Sequence, residues 1–343
     1  MKARVIVPLN LRTGTPEVLV NNNTGDRYYT TGDVIDIAEA VIGEKYKDSN
    51  IWYRLFDGGF VWSGGVIPSN TQQDYRTAIP NVSSLLFKTN GKGVKIAVLD
   101  TGFFLDHKDL LHLKEKTIRK DFGGNNNTED MQGHGTHILG LLAAKSSEQG
   151  GIIGLCYEAD FLLYKVIQDD IGFLDSFAAS AILDAIENNA DIINMSFSVP
   201  TKMDSRFHKA IKKAIEKNIL VIASAGENEN LLQNSLVFPA QFNDVISVGE
   251  IDNAFITSLP IKFNQQLDFM LPFIDQISCW FKVEKPYEKL KGSSMATAII
   301  SGIIAAILSA SNKQTNPVNE LKKIASPFSS STQINSTIKI IKP

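Results

Sequence analysis

Three short segments set reactive side chains beside small residues. Ile96-Ala97-Val98-Leu99-Asp100-Thr101-Gly102 puts a carboxylate at the end of an apolar run. Gly133-His134-Gly135-Thr136-His137-Ile138-Leu139-Gly140 puts an imidazole between two glycines at the head of another. Gly292-Ser293-Ser294-Met295-Ala296-Thr297-Ala298 puts two hydroxyls at the start of a third. Each segment also has a purely structural reading: Asp100 can cap a turn, and Ser293 or Ser294 can cap a helix. Together they carry more. A serine hydroxyl is a poor nucleophile at neutral pH. It needs an adjacent base, and that base needs a third group to fix its tautomer. Asp100 as orienter, His134 as base and Ser294 as nucleophile supply the set, and the chemistry they would perform is acyl transfer. His134 and His137, three apart, also raise metal ligation. However, the His-Glu-x-x-His pattern is absent and no third ligand has obvious spacing. No metal set is predicted, and His137 reads as a buried, hydrogen-bonded histidine.

These residues need a scaffold. From Val94 onward, short apolar runs alternate with longer amphipathic stretches. Runs at 94–99, 161–166, 191–195, 219–223 and 245–248 read as buried parallel strands. Stretches at 134–145, 174–189 and 203–217 read as helices. Such alternation predicts an α/β architecture with helices on both faces of a mostly parallel sheet. Asp100 then falls at the carboxyl end of a strand, where such sheets build their sites. Met295 to Ala310 is the most apolar stretch. It is short for a membrane span and contains Ser301 and Gly302, so it reads as a buried helix.

Residues 1–66 differ. Runs rich in Val, Ile, Tyr and Trp are separated by turn signals such as Gly32-Asp33, Gly58-Gly59 and Gly64-Gly65, predicting a small all-β barrel. Leu9-Asn10-Leu11-Arg12, Trp52-Tyr53-Arg54 and Gly59-Phe60-Val61-Trp62-Ser63-Gly64 resemble a bacterial SH3-like domain. That resemblance implies a peptide or cell-wall fragment as ligand. Trp52 and Trp62 belong either to its core or to a binding groove. Residues 67–80, polar with Pro68, read as a linker, and 81–343 as the catalytic domain.

Over about 80–343, the three reactive segments resemble, in order, the subtilisin-like (subtilase) serine peptidase family. Gly151-Ile152-Ile153-Gly154, Asp191-Ile192-Ile193-Asn194-Met195-Ser196 and Phe238-Pro239-Ala240 resemble its intervening landmarks. The resemblance implies a three-layer α/β/α sandwich and a serine endopeptidase working through an acyl-enzyme. It implies Asp100, His134 and Ser294 as the triad, and Ser196, Phe197 and Ser198, with Ala225 and Gly226, as substrate-binding backbone. A protein or peptide is the implied substrate, and no cofactor is required. Relatives bind structural calcium through scattered loop ligands that one sequence does not identify.

The sequence departs from the family where an asparagine normally completes the oxyanion hole: Glu227 stands at that position and Asn228 follows. Either Asn228 serves or a protonated Glu227 donates. Losing such a donor costs about 10²–10³-fold in rate. Ser198 in place of Gly, and Ile171-Gly172-Phe173-Leu174-Asp175 in place of a Gly-rich strand, predict a narrow, selective cleft. Two rival readings are an inactive peptide-binding module on the same scaffold and an esterase or acyl transferase using the same triad.

The 343 residues are 43% hydrophobic and 21% charged, with net charge −3, a soluble globular composition with no basic excess to attract nucleic acid or anionic membranes. Cys156 and Cys279 read as two buried thiols, with a disulfide as the rival pairing. The N-terminus reaches Asn10 and Arg12 too soon for a signal peptide. The chain as given therefore reads as cytoplasmic; a secreted chain trimmed of its leader would read the same.

Overall fold

The computed structural model describes residues 2–5, 9–13, 23–30, 33–46, 49–56, 58–68, 71–75, 85–86, 88–146, 150–199, 204–226, 237–251, 267–272, 275–329 and 334–340. Seven N-terminal strands form one sheet: β1 (Lys2–Val5), β2 (Leu9–Arg12), β3 (Asn23–Tyr29), β4 (Val34–Tyr46), β5 (Ser49–Leu55), β6 (Phe60–Trp62) and β7 (Val66–Pro68). Their order is β3-β2-β6-β5-β4-β1-β7, and every pairing is antiparallel. Alternate residues point inward and share a core containing Val5, Leu11, Ile35, Ile37, Leu55 and Val61. Trp52 and Trp62 lie in that core, 2% and 8% exposed, and the Trp52 indole N–H donates to the Glu44 carbonyl at 2.8 Å. Both tryptophans are therefore packing residues and form no groove.

Of the segment read as a linker, residues 67–68 and 71–75 are described, and both stretches are paired in sheets. β7 pairs with β1, and β8 (Thr71–Asp74) runs parallel to β11 (Gly151–Ile153). Tyr75 follows, 1% exposed, in the larger of the two cores beyond it. Its hydroxyl donates to the Ile277 carbonyl at 2.5 Å. Residues 71–75 are thus a strap laid on the second domain.

That domain is built on a nine-stranded sheet. Its strands are β9 (Lys95–Asp100), β10 (Ile118–Asp121), β12 (Asp160–Lys165), β15 (Ile192–Met195), β16 (Leu220–Ser224), β17 (Ile246–Ile251), β18 (Phe269–Pro272), β21 (Ser326–Ser329) and β22 (Ile334–Ile340), in the order β10-β12-β9-β15-β16-β17-β18-β22-β21. All neighbours are parallel except β21 with β22. Two short hairpins lie outside it: β13 (Ile167–Gln168) with β14 (Gly172–Phe173), and β19 (Gln276–Lys282) with β20 (Lys285–Leu290).

Both sheet faces are covered, which is why strands such as Ile96-Ala97-Val98-Leu99 are continuously apolar. Helices α1 (His134–Ala143), α4 (Ser293–Ala310) and α5 (Pro317–Ile324) pack with Ile96, Val98, Ile192 and Ile222 on one face. Helices α2 (Asp175–Glu187) and α3 (Ser205–Glu216) pack with Ala97, Leu99, Ile193 and Met195 on the other. The result is the expected three-layer α/β/α arrangement. α4 is long and apolar enough to cross a membrane, but 83% of it is buried inside the fold. Each fully buried Ile on it contributes about 1.5–3 kcal/mol, so it is the domain's central core helix.

Candidate active site

The site lies at the carboxyl ends of β9, β15 and β16, which are adjacent in the sheet. Asp100 is the last residue of β9 and is fully buried. Its Oδ1 accepts from the Thr101 amide at 2.8 Å and from His134 Nδ1 at 2.7 Å. A carboxylate only accepts, so Nδ1 carries the proton and the lone pair is left on Nε2. His134 is thereby held as a base, with its side chain 28% exposed.

The two glycines around His134 answer to close backbone approach. Gly133 has φ +92°, and a Cβ there would meet the Trp280 ring at 2.5 Å. A Cβ on Gly135 would meet the Gly102 carbonyl oxygen at 2.2 Å. The start of α1 is pressed against the loop after β9 and against the β19–β20 hairpin, which sets the distance from His134 to Asp100.

Asp130, 3% exposed, fixes that contact, and the sequence reading missed it. Its Oδ1 accepts from the Thr101 hydroxyl (2.9 Å) and the amides of Gln132 (3.1 Å) and Gly133 (2.8 Å). Its Oδ2 accepts from the Thr136 amide (2.9 Å) and hydroxyl (2.6 Å). The Gly135 amide returns a bond to the Thr101 hydroxyl at 2.9 Å. One carboxylate thus satisfies the open amides of a helix start, where negative charge is favoured, and ties them to the residue after Asp100. Lys165, aligned with Asp100 in the neighbouring strand, was also missed. Its buried ammonium donates to the Glu129 carbonyl at 2.8 Å and to Asp169 at 2.7 Å.

Ser294 is the second residue of α4. Its hydroxyl donates to the Ser196 carbonyl at 2.7 Å, and the Ser196 hydroxyl donates to the Ser294 carbonyl at 2.9 Å. Ser293 is buried and shares a 2.6 Å hydrogen bond with the Ser224 hydroxyl at the end of β16. Of the expected substrate-binding residues, 196–198 follow β15 as irregular chain. Beyond them, Val199 and Phe238 exchange main-chain bonds of 2.9 Å each way. The Phe197 ring turns into the α2–α3 core, 4.9 Å from the Phe173 ring of β14. Ala225 is tied to β17 through the Val248 carbonyl, and Gly226 adopts φ +85°. Glu227 and Asn228 lie outside the described residues.

The β19–β20 hairpin braces α1. His137 Nε2 donates to the carbonyls of Gln276 (3.1 Å) and Glu288 (3.2 Å), and the Ser278 hydroxyl donates to the His137 carbonyl at 2.7 Å. Burial lowers the His137 pKa to about 4. It is the buried histidine expected. Cys156 and Cys279 are separate buried thiols, pushed up by burial, and form no disulfide. His107, Asp109 and Cys279 place ligand atoms within 4.8 Å of one another, but His107 and Asp109 are already engaged in hydrogen bonds. His107 Nε2 donates to the Pro286 carbonyl, and its Nδ1 accepts from the Asp109 amide. Asp109 accepts from Lys108, the Ile152 amide and the Tyr287 hydroxyl. This cluster staples loops together and does not fit an ion without losing those bonds.

A sequence profile of the subtilase family matches residues 91–326. The chain belongs to the subtilase family. It is 35% identical over 237 residues to the intracellular serine protease of Paenibacillus polymyxa, covering 66% of this chain and 69% of that protein. It is also 35% identical over 225 residues to the major intracellular serine protease of Bacillus subtilis strain 168, covering 64% and 69%. Among solved structures, S41 psychrophilic protease superposes with TM-score 0.62 at 26% identity, over 79% of this chain and 97% of the other. This subtilase is a serine-type endopeptidase.

Proposed function

We propose that Asp100, His134 and Ser294 are the catalytic triad of a selective endopeptidase. The observation that carries the reading is the 2.7 Å bond from His134 Nδ1 to buried Asp100, together with a serine at the head of a core helix tied to the end of β15. Ser294 attacks a peptide carbonyl while His134 Nε2 takes its proton and later gives it to the leaving amine. Asp100 stabilises the imidazolium formed between those steps, and water then releases the acyl-enzyme. The Ser294 amide, at a helix start, donates to the oxyanion. Asn228 or a protonated Glu227 supplies the second donor. Extended substrate backbone lies along 196–198 and beside Ala225 and Gly226. These steps need no cofactor.

Selectivity for a specific protein or precursor peptide is read from Ser198 and the 171–175 segment, whose Phe173 ring packs 4.9 Å from that of Phe197. A cytoplasmic location is supported by the two relatives named as intracellular proteases. The N-terminal sheet is read as SH3-like, with a peptide or cell-wall fragment as ligand. Among the described residues, exposed Tyr28 and Phe56 are better placed to contact it than the buried tryptophans.

Fluorophosphonate labelling followed by peptide mapping tests the triad. The adduct is expected on Ser294 and abolished by His134→Ala. Labelling of another serine would move the nucleophile away from Ser294, and no labelling at any pH would leave a binding module.

A further inference from the structure

Asn194 is a fully buried amide on β15, facing α4 among Ile192, Ile222 and Ile300. A polar group in such a place is costly unless every valence is met. Its two ends are met by different elements. The Ser301 hydroxyl, two turns along α4 from Ser294, donates to Asn194 Oδ1 at 2.9 Å. Asn194 Nδ2 donates to the Ser196 hydroxyl at 3.0 Å. With a lone pair so occupied, the Ser196 hydroxyl donates onward to the Ser294 carbonyl at 2.9 Å. The chain of donors runs one way, from Ser301 through Asn194 and Ser196 to Ser294. Both ends lie on α4, and the middle lies on β15 and the residue that follows it.

We propose that Ser301 is a positioning residue for Ser294, acting through Asn194 and Ser196 to fix the first turn of α4 against the end of β15. It touches no reacting atom. Without its donor, the Asn194 amide is free to turn, the Ser196 hydroxyl loses its bias toward the Ser294 carbonyl, and the nucleophile is held less firmly. Small displacements of a reacting group lower the rate of the bond-forming step without weakening substrate binding.

The inference rests on Ser294 being the nucleophile. Its test is a double-mutant cycle on the full chain, read by the rate of labelling with a small fluorophosphonate and by kcat and KM on a cleaved peptide. Ser301→Ala and Ser196→Ala are each expected to slow labelling and lower kcat about tenfold, with KM within about twofold. If they act through one chain, the double variant is no slower than the slower single variant. Effects that multiply, a loss confined to KM, or Ser301→Ala labelling at the wild-type rate would overturn the proposal. Wild-type protein that takes no label at all would overturn the triad reading, and this inference with it.

Discussion

The hydroxyl of Ser294 points at the carbonyl of Ser196, 2.7 Å away, and the Ser196 hydroxyl answers with a 2.9 Å bond to the Ser294 carbonyl. A hydroxyl has one proton to give. While that proton lies on the Ser196 carbonyl it is not on His134, so in the proposed triad the Ser294 hydroxyl must redirect its proton before His134 can take it. The acceptor it must leave sits on the segment where an extended substrate backbone is proposed to bind.

A substrate amide that occupies the Ser196 carbonyl should therefore release the Ser294 proton. Lengthening a peptide on its acyl side is expected to raise kcat about tenfold, with a smaller change in KM. Steady-state kinetics on a series from one to four acyl-side residues checks this. A gain confined to KM would mean the Ser294–Ser196 bond does not restrain the chemistry.

Asp130 should matter to both stability and rate. Asp130→Ala leaves the amides of Gln132, Gly133 and Thr136 and the Thr101 hydroxyl without their common acceptor. The expected loss is about 3 kcal/mol in urea unfolding. A fall in kcat beyond that of a remote variant of equal stability is also expected, because the contact between Asp100 and His134 depends on the same loop.

Acid should weaken the fold through His137. Burial lowers its pKa to about 4, below the 6.5 of an unfolded histidine. Between those values the unfolded chain binds a proton that the native chain refuses, so stability falls as pH drops from about 6.5 to about 4. The ceiling on this contribution is about 3 kcal/mol. His107 and His112, also lowered mainly by burial, act in the same direction. Urea midpoints at pH 7 and pH 4.5 are expected to differ less in His137→Asn than in wild type.

Much of this was legible in the chain because it is local. Continuous apolar runs ending at Asp100 and Met195 read as buried parallel strands, and the glycines flanking His134 signalled close approach. Contacts between distant segments were not legible. Tyr75 meets Ile277 across 202 residues of sequence, and nothing near either one announces it. Asp130 ends a run of Asn, Thr and Glu that reads as an ordinary polar loop, and only the packed helix start shows what it binds. The tryptophans of the N-terminal sheet fitted either a core or a groove, and their burial decides for the core.

The central claim is that Ser294 cuts peptide bonds with His134 and Asp100. Its most direct test is cleavage of a diverse peptide library from pH 4 to 9 by wild type beside Ser294→Ala, read by mass spectrometry. The account predicts a restricted set of internal cleavages by wild type and none by Ser294→Ala. Cleavage that survives the substitution, or no cleavage by wild type at any pH, would contradict it.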